Sequence, residues 1–534
     1  MALSRYTAFW LCLAGMVATG IASVVHDGLW PIGTFVFAVL TIVGLNDMRQ
    51  LRHSVRRNYP VVGHLRWMFE RIRPEIRQYL IESDQDATPF TRSQRSLVYA
   101  RAKGEGSERA FGTHMDVYKA GYEFIAHSSR PAPLADPKDF RILIGGKDCQ
   151  QPYSASIFNI SAMSFGSLSA NAIQALNQGA AMGGFAHDTG EGSISPHHRQ
   201  HGGDLIWEIG SGYFGCRSAD GRFNPVRFAE QAENPQVKMI EIKLSQGAKP
   251  GHGGILPAAK ITREISETRG VPMGQDCISP SRHGEFSNPR ELMQFVALLR
   301  RRSKGKPIGF KLCIGHPWEF MGMVKAMRET GILPDFIVVD GAEGGTGAAP
   351  LEFTDHLGMP MREGLLFVHN TLVGAGLRDQ IKIGAAGKIV SAFDIAAALA
   401  LGADWVNAGR GFMFALGCIQ SLSCNTNRCP VGVATQDPVR QKALDVPTKA
   451  ERVARFHGST MHALAEMLAA AGLEHPSQVK AHHLVRRVGG SEIRLFSQLH
   501  TFLQEGELMR EDHDHDFYAS AWRAAQADSF EMAV

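Results

Sequence analysis

The feature that most limits how this chain can fold is a regular alternation of short apolar runs with helical patterns between residues 157 and 407. Most runs end in glycine, serine or a charged residue, which is typical of strands bounded by turns. Eight candidate strands lie at residues 157–162, 184–187, 206–209, 239–244, 308–312, 336–339, 381–384 and 405–407. Helices are predicted between many of them, at residues 171–182, 289–302, 318–330 and 391–401.

This alternation predicts an α/β fold, and eight strand–helix units over about 270 residues favour a (β/α)₈ TIM barrel. The alternative is a doubly wound open sheet, which would carry its glycine fingerprint after the first strand. Here glycine motifs follow several strands, so we predict the barrel. We expect a barrel domain at residues 151–440, after a helical connector at 48–150 and before a helical C-terminal extension at 441–534.

Two apolar stretches open the sequence, at about residues 7–25 and 29–45, with only three residues between them. Each is close to the ~20 residues that a helix needs to cross a membrane. A signal peptide would need a small-residue cleavage site, and a buried soluble hairpin would need polar faces. Because neither feature is convincing, we predict a transmembrane helical hairpin at residues 1–47.

The basic residues around this hairpin predict its orientation. Arg5 precedes it and Arg49, Arg52, Arg56 and Arg57 follow it, whereas the connecting loop has no Lys or Arg. The positive-inside rule then puts both ends in the cytoplasm. We therefore expect a protein of the inner (cytoplasmic) membrane with its main domain facing the cytoplasm, where eight cysteines without paired spacing also fit.

Composition excludes several classes of protein. Hydrophobic residues make up 44% and charged residues 20% of the 534 residues, which indicates a globular chain and neither a disordered nor a fibrous one. The net charge of +4 is small for this length. It offers no support for nucleic-acid binding, and no nucleic-acid partner is expected.

Functional residues of a barrel lie at the C-terminal ends of its strands, and here those ends are rich in glycine and polar residues. Gly344, Gly345 and Thr346 follow the sixth candidate strand, Gly387 the seventh and Gly409 the eighth. Backbone N–H groups of such segments predict a phosphate site, to which Arg410 could add a charged donor. The alternative is that these glycines serve only tight turns.

The sharpest local signal is a group of three cysteines, Cys418, Cys424 and Cys429, within twelve residues. Thiolates in this pattern suit a soft metal centre. Zinc would normally need a fourth N or S ligand, and no further Cys or His lies nearby in the sequence. A three-iron cluster needs only three thiolates, so we predict a 3Fe-4S cluster, against the alternative of structural thiols.

These motifs, in this order, resemble the FMN-binding synthase domain of glutamate synthase over about residues 158–436. The most specific matches are residues 162–167, 189–192 (TGEG), 211–215 (SGYFG), 246–251 (QGAKPG), 344–347 (GGTG) and the cysteine loop with 430–436 (PVGVATQ). In that family the barrel holds FMN, the cysteines hold a 3Fe-4S cluster, and 2-oxoglutarate binds over the flavin.

The resemblance implies roles for particular residues. Glu191, Gln246 and Lys249 would contact the 2-oxo acid, and Met163 and Ser164 would contact FMN. Of these, Lys249 and Glu191 would be catalytic, because Lys249 could pair with a substrate carboxylate and Glu191 could manage a proton.

A lysine near the pyrimidine edge of a flavin stabilises the anionic reduced form, and Lys243 and Lys311 are candidates for this role. The alternative for each is an ion pair inside the barrel.

The resemblance also has departures. No amidotransferase domain is expected before the barrel, and no glycine-repeat domain is expected after it. His252 and Ile255 stand where family members often carry other polar residues. Fold and cofactors are unaffected by these departures, but the identities of the amine and the acid stay open.

The expected function is reductive amination of a 2-oxo acid, 2-oxoglutarate, to glutamate with ammonia or an amine supplied externally. Alternatives are a subunit making N-substituted (N-methyl) glutamate, a membrane-linked flavoprotein oxidising an amino acid, and a non-catalytic electron-relay subunit. Expected partners are a ferredoxin or an electron-donor subunit, the membrane, and a separate amidotransferase subunit.

Overall fold

The computed structural model describes residues 5–85, 88–106, 108, 110–510 and 515–533. It consists of two compact units, Met1–Arg92 and Ser93–Val534. Residues 1–4 of the predicted hairpin, 86, 87, 107 and 109 of the predicted connector, and 511–514 and 534 of the predicted extension lie outside the described residues.

The first unit begins with two antiparallel apolar helices. Its elements are α1 (Thr7–Val25), α2 (Trp30–Arg49), α3 (Ser54–Asn58), α4 (Gly63–Ile76) and a π-helical turn at Arg77–Ile81. Gly15 of α1 lets the Phe37 ring of α2 approach to 2.9 Å from the position that a Cβ would take. The predicted pair of N-terminal apolar helices is therefore confirmed, and both are long and apolar enough to cross a membrane, with mean hydropathies of 2.0 and 1.5.

Fifteen strands occur among the described residues of the second unit, eight of which close into a parallel barrel. They are β1 (Glu123–Ile125), β2 (Arg141–Ile144), β3 (Tyr153–Ser156), β4 (Phe158–Ile160), β5 (His187–Asp188), β6 (Leu205–Ile209), β7 (Val237–Lys243), β8 (Ile255–Leu256), β9 (Cys277–Ile278), β10 (Ile308–Leu312), β11 (Phe336–Asp340), β12 (Lys382–Ala386), β13 (Trp405–Ala408), β14 (Leu484–Arg487) and β15 (Ile493–Leu495). The barrel runs β4-β5-β6-β7-β10-β11-β12-β13 and closes between β13 and β4. The predicted TIM barrel is confirmed, and the open sheet is excluded.

The second barrel strand is the one whose predicted position differs most. Residues 184–187 were expected there, whereas β5 covers His187–Asp188. Gly184 instead ends the preceding helix in a left-handed conformation, with φ of 67°. A helix that ends on such a glycine leaves the next residues to turn back toward the sheet, so the strand begins later.

Helices lie between the barrel strands and after them. In the second unit they are α5 (Arg92–Lys103, which starts at the boundary), α6 (Ala170–Gly183), α7 (Pro196–Arg199), α8 (Pro225–Ala232), α9 (Arg263–Arg269), α10 (Pro289–Arg302), α11 (Pro317–Thr330), α12 (Leu351–His356), α13 (Met361–Gly374), α14 (Ala392–Ala400), α15 (Arg410–Leu416), α16 (Pro438–Gln441), α17 (Val446–Ala470), α18 (Phe496–Leu499) and α19 (Asp516–Ala524). Side-chain caps set several starts: Ser169 accepts from the Ala172 N–H at α6, and Asn288 accepts from the Glu291 N–H at α10.

The segments before and after the barrel are joined to it and to each other. Helix α17 packs on α6 at Gly179, where the Val453 Cβ lies 2.6 Å from the position that a Cβ would take. Strand β1 of the predicted connector pairs antiparallel with β14, which pairs with β15. The region predicted as a helical extension thus also contains strands, and it belongs to the same compact unit as the barrel.

Candidate active site

Four polar side chains that sequence motifs single out lie at the C-terminal end of the barrel. We call Glu191, Lys243, Gln246 and Lys249 the rim group. Lys243 ends β7, and its Nζ lies 3.1 Å from Glu191 Oε1 and donates to Gln246 Oε1 at 2.9 Å. Lys249 donates to the Gly253 carbonyl at 3.2 Å, and its charge acts on Glu191. The structure therefore brings together the residues predicted to contact the 2-oxo acid, with Lys243 among them.

The rim group holds its one carboxylate in the ionised form. Burial raises the pKa of Glu191, but the charges of Lys243, Arg269 and Lys249 outweigh it and bring that pKa below the usual value. Burial and the neighbouring Lys243 lower the pKa of Lys249, against the opposing charge of Glu191. A single carboxylate is thus surrounded by three cationic side chains, which leaves positive charge available to an acidic ligand.

Glycines make room for the Glu191 side chain. A Cβ on Gly210 would lie 2.7 Å from Glu191 Oε2, and a Cβ on Gly254 would collide with Oε1. Any other residue at either position would displace the carboxylate. This is a physical reason for glycine in both segments, one after β6 and one after β7.

The glycine segments predicted to bind phosphate lie near two cations. The Arg410 guanidinium occupies the space that a side chain on Gly345 would fill, and Gly345 and Thr346 are exposed. Burial and then the charge of Arg410 lower the pKa of Lys388, which shows that these two cations are close. Cations beside glycine backbone at the ends of adjacent strands fit an anion such as a phosphate ester.

The other predicted cofactor residues border the same end of the barrel. Met163 Cε lies 3.8 Å from the position of a Cβ on Gly409, so the ends of β4 and β13 meet there. A Cβ on Gly387 would lie 2.9 Å from Glu343 Oε1. Ser164 donates from its hydroxyl to Ser167 Oγ at 3.0 Å, and a Cβ on Gly190 would lie 2.8 Å from the Ser164 nitrogen.

Lys311, the second candidate flavin lysine, lies in a different environment. It pairs with Glu208, and its Nζ lies 3.2 Å from Glu241 Oε1. The side chains of Lys311, Glu208 and Glu241 are 4%, 2% and 1% exposed. The structure therefore gives Lys311 the ion-pair role that was the alternative in the sequence, and Lys243 remains the candidate at the rim.

Sequence reasoning missed the carboxylates around Lys311. Asp188, Glu208 and Glu241 have carboxylate oxygens within 4.8 Å of one another, and with Lys311 they form what we call the interior cluster. Burial and the charges of Glu241 and Glu208 raise the pKa of Asp188 well above its usual value. Burial raises the pKa of Glu241 to about 7, although Lys311 opposes the shift. A usable signal was present, because Glu208 and Glu241 interrupt otherwise apolar runs and pair in register.

A tyrosine–histidine pair supports the end of β7. His283 lies 2.9 Å from the Lys243 carbonyl through Nε2 and 3.1 Å from the Tyr213 hydroxyl through Nδ1. Burial lowers the pKa of His283 to about 4, so the ring is neutral near pH 7. Because a carbonyl can only accept, Nε2 carries the proton, and Nδ1 accepts from Tyr213. His283 was not identified from the sequence, since it lies in a loop without a motif.

The three predicted cluster cysteines occupy one loop. Burial raises the pKa of Cys418 to about 11, and the neighbouring Cys424 and Cys429 contribute to this shift. The Tyr99 hydroxyl donates to the Cys418 carbonyl at 2.6 Å, and Lys260 Nζ donates to the Cys424 carbonyl at 2.8 Å. All eight cysteines of the chain are free.

The spacing of these sulfurs bears on the kind of metal. A tetrahedral zinc with Zn–S bonds of ~2.3 Å would bring its sulfurs to about 3.8 Å from one another. Among the described residues, the one group of three or more potential ligands with all atoms within 4.8 Å is Asp188, Glu208 and Glu241, so the three sulfurs are spread further apart. Such spacing fits a polynuclear centre better than a single zinc ion.

Comparisons with known proteins give a consistent result. A family model described as "Conserved region in glutamate synthase" matches residues 127–474. The chain is 38% identical over 500 residues to the glutamate synthase large subunit-like protein YerD of Bacillus subtilis, covering 86% of this chain and 95% of that protein. It is 36% identical over 413 residues to the archaeal-type glutamate synthase [NADPH] of Thermotoga maritima, covering 73% and 78%.

Among solved structures, a double mutant of flavocytochrome b2 with pyruvate bound aligns over 84% of this chain and 91% of its own, with 13% identity and a TM-score of 0.39.

Proposed function

This chain belongs to the glutamate synthase family and is an oxidoreductase of that type, and from this premise we propose that it reductively aminates a 2-oxo acid, 2-oxoglutarate first among them, to the amino acid. The observation that carries the proposal is the rim group together with the neighbouring Arg269, because one ionised carboxylate, Glu191, lies among Lys243, Lys249 and Arg269. The excess positive charge suits a dicarboxylate. Ammonia or an amine would be supplied from outside the chain.

Two redox groups complete the proposal. The glycine segments with Arg410 would hold the phosphate of FMN, and Met163, Ser164 and Lys243 would border its ring system. Bound FMN supplies two-electron chemistry to such a site. Cys418, Cys424 and Cys429 would hold a 3Fe-4S cluster, which passes single electrons.

The residues of the rim group would divide the work of binding and proton handling. Lys249 pairs with a carboxylate of the acid, and Gln246, whose Oε1 is held by Lys243, offers its amide N–H groups to the ligand. Glu191, ionised at neutral pH, gives a protonated amine an anionic partner and can exchange a proton with it. Gly210 and Gly254 leave the space that the Glu191 carboxylate occupies.

The test is anaerobic reduction of the purified protein, followed by reoxidation with pairs of 2-oxo acids and amines. Reoxidation by 2-oxoglutarate with ammonia or methylamine, with the matching amino acid as product, is the expected result. Reoxidation by no pair in the panel would contradict the proposal.

The cluster has its own test. Cys424→Ser should lose iron while flavin stays bound, because only one of the two cofactor sites has changed. Cys216→Ser is the matched control, since Cys216 is buried and isolated from the cysteine loop. Zinc in place of iron, or no metal in anaerobically prepared protein, would contradict the cluster assignment.

A second candidate function follows from the apolar helices α1 and α2. A membrane-linked flavoprotein that oxidises an amino acid and passes electrons toward the membrane would use the same site in reverse. It predicts reduction of the flavin by glutamate or N-methylglutamate in the absence of any donor protein. A pure electron relay is disfavoured, because a relay needs no rim group.

The electron source is a further part of the proposal. Several relatives carry NADPH in their names, but we infer that electrons reach this chain from a ferredoxin or a donor subunit, and that ammonia comes from a separate amidotransferase subunit where glutamine is the source. Reduction of the bound flavin by NADPH, with no other protein added, would refute the proposal that a donor protein is needed.

We propose that α1 and α2 anchor the protein in the inner membrane with both ends in the cytoplasm. The lengths and hydropathies of the helices support this, as do the arginines that flank them. A reporter inserted at Gly28 should be exposed outside the cytoplasm, and deletion of residues 1–47 should release a soluble flavin-bound domain. A cytoplasmic Gly28 loop would overturn the topology.

A further inference from the structure

Lys260 is a buried cation next to the cysteine loop. It ends a 3₁₀ turn, Ala258–Lys260, in the insertion between β7 and β10, and it is 3% exposed. Its Nζ donates to the carbonyls of Cys424 at 2.8 Å, Ala434 at 3.4 Å and Ser167 at 3.5 Å. All three partners are neutral backbone groups.

This ammonium has no anionic partner of the usual kind. Among the described residues, Lys260 takes part in no ion pair with a carboxylate within 4.0 Å. The interior lysine of the barrel shows the contrast, because Lys311 pairs with both Glu208 and Glu241. A buried charge without a counter-ion destabilises the folded protein, so we expect an anionic group close to Lys260.

The cysteine loop is where that negative charge would come from. Lys260 Nζ donates to the Cys424 carbonyl at 2.8 Å, and Cys424 and Cys429 would both be thiolates once they bind a cluster. Three thiolates around a three-iron core make a net anion in both oxidation states, and reduction adds one more negative charge. A fixed cation close by favours the reduced state, since cluster potential depends on net charge and hydrogen bonding around the sulfurs.

The surrounding contacts keep Lys260 in position. Gln436, just after the cysteine loop, donates to the carbonyls of Gly166 at 3.0 Å and Leu168 at 2.8 Å. Arg269 of the insertion donates to the Phe165 carbonyl at 3.1 Å. The cysteine loop and the insertion are thus fastened to the same segment after β4, so the distance from Lys260 to the cysteines is constrained from both sides.

We propose that Lys260 is the buried counter-ion of the iron–sulfur cluster and raises its reduction potential, a positioning role that rests on the cluster in the proposed function. The cation makes the cluster a better electron acceptor, because the added electron is stabilised by a charge that cannot move away. Lys260 contacts neither the acid nor the flavin in this proposal.

The experiment is a redox titration of the cluster, followed by its electron paramagnetic resonance signal, on the full chain and on variants. Lys260→Gln keeps a donor for the Cys424 carbonyl and removes the charge, and Lys260→Arg keeps the charge. Lys306→Met is the matched control, because Lys306 is 7% exposed and also donates to backbone carbonyls, of Ala232 and Asn234, at the opposite end of the barrel.

The expected result is a lower midpoint potential in Lys260→Gln with iron content unchanged, and a potential near the original in Lys260→Arg and Lys306→Met. Iron loss in the Gln variant alone, with iron kept in the Arg variant, would also support a counter-ion. An unchanged potential in Lys260→Gln, or iron loss in both Lys260 variants, would overturn the inference. Absence of a three-iron cluster from the unmodified protein would instead refute the proposed function.

Discussion

The interior cluster and the rim group are built from the same residue types on neighbouring strands, yet they have opposite electrostatic character. In the interior cluster burial and the repulsion between three carboxylates, which share Lys311, raise the pKa values of Asp188 and Glu241, so protons are retained. The one carboxylate of the rim group, Glu191, lies among Lys243, Lys249 and the neighbouring Arg269, whose charges outweigh burial and lower its pKa. Lys243 and Lys311 pair in register on adjacent strands. The number of carboxylate partners therefore determines that Lys311 stabilises the fold and that Lys243 can bind a ligand.

The largest expected effect is on stability, from Lys311→Met. Removing one partner of a buried ion pair leaves uncompensated charge and typically costs about 3–5 kcal/mol. We expect the free energy of unfolding in urea to fall by this order. The control is Lys304→Met, because Lys304 pairs with Glu233 on the surface, with side chains 71% and 57% exposed. An equal loss in the free energy of unfolding in both variants would contradict the expected difference between interior and surface ion pairs.

Lys249→Met should have the next largest effect, and on catalysis. Loss of one charged hydrogen-bond partner costs about 1.5–3 kcal/mol, which is roughly a ten- to hundredfold drop in kcat/KM with 2-oxoglutarate. FMN content and the cluster should stay unchanged, as should activity in Lys304→Met. Loss of flavin would move Lys249 to the cofactor site, and unchanged activity would mean that the acid is held elsewhere.

The two groups should also differ in how stability depends on pH. The pKa of Glu241 is raised from 4.5 to about 7 by folding, so this group makes the protein less stable as pH rises through that interval. The pKa of Glu191 is lowered from 4.5, so its contribution is present above that value and is lost as pH falls. The free energy of unfolding in urea should be measured at a series of pH values. Glu241→Gln should reduce its change with pH between 4.5 and about 7, and Glu191→Gln should reduce its change below pH 4.5. Identical profiles in the two variants would contradict the assignment.

The smallest expected effect on catalysis comes from Tyr213→Phe, which removes the hydroxyl that donates to His283 and accepts from the Gly284 and Glu285 N–H groups. Each lost hydrogen bond costs about 1 kcal/mol in the free energy of unfolding. Because His283 holds the Lys243 carbonyl, kcat/KM should fall by only a few-fold. Tyr118→Phe is the control, since Tyr118 is 74% exposed. An effect as large as that of Lys249→Met would mean that Tyr213 itself contacts the ligand.

Much of the barrel could be predicted because its strands are short apolar runs with clear ends. Seven of them were placed within a few residues, and β5 was misplaced because Gly184 resembles a strand boundary but is a helix cap. The rim residues could be predicted because motifs follow strand ends. The pairing of β1 with β14 could not, since three-residue strands so far apart leave no periodic pattern.

Other parts of the site could not be predicted, because they bring together residues that are far apart in the sequence. Lys260 reaches the cysteine loop from an insertion, and nothing in the spacing of the two segments indicates that contact. The interior cluster was closer to being predictable, because Glu208 and Glu241 stand out in apolar runs. The sequence does not show how many charged partners surround each of these side chains, because that number depends on how the barrel closes.

The pairing of β1 with β14 has a consequence for synthesis. Strand β1 emerges from the ribosome roughly 360 residues before its partner. At about 5–20 residues per second, translation leaves it waiting for roughly 20–70 s. Barrel strands can associate during that interval, but β1 keeps unpaired N–H and C=O groups until the last tenth of the chain is reached. A nascent chain stalled before residue 484 therefore carries an open strand edge that is a target for chaperones or for another copy of itself.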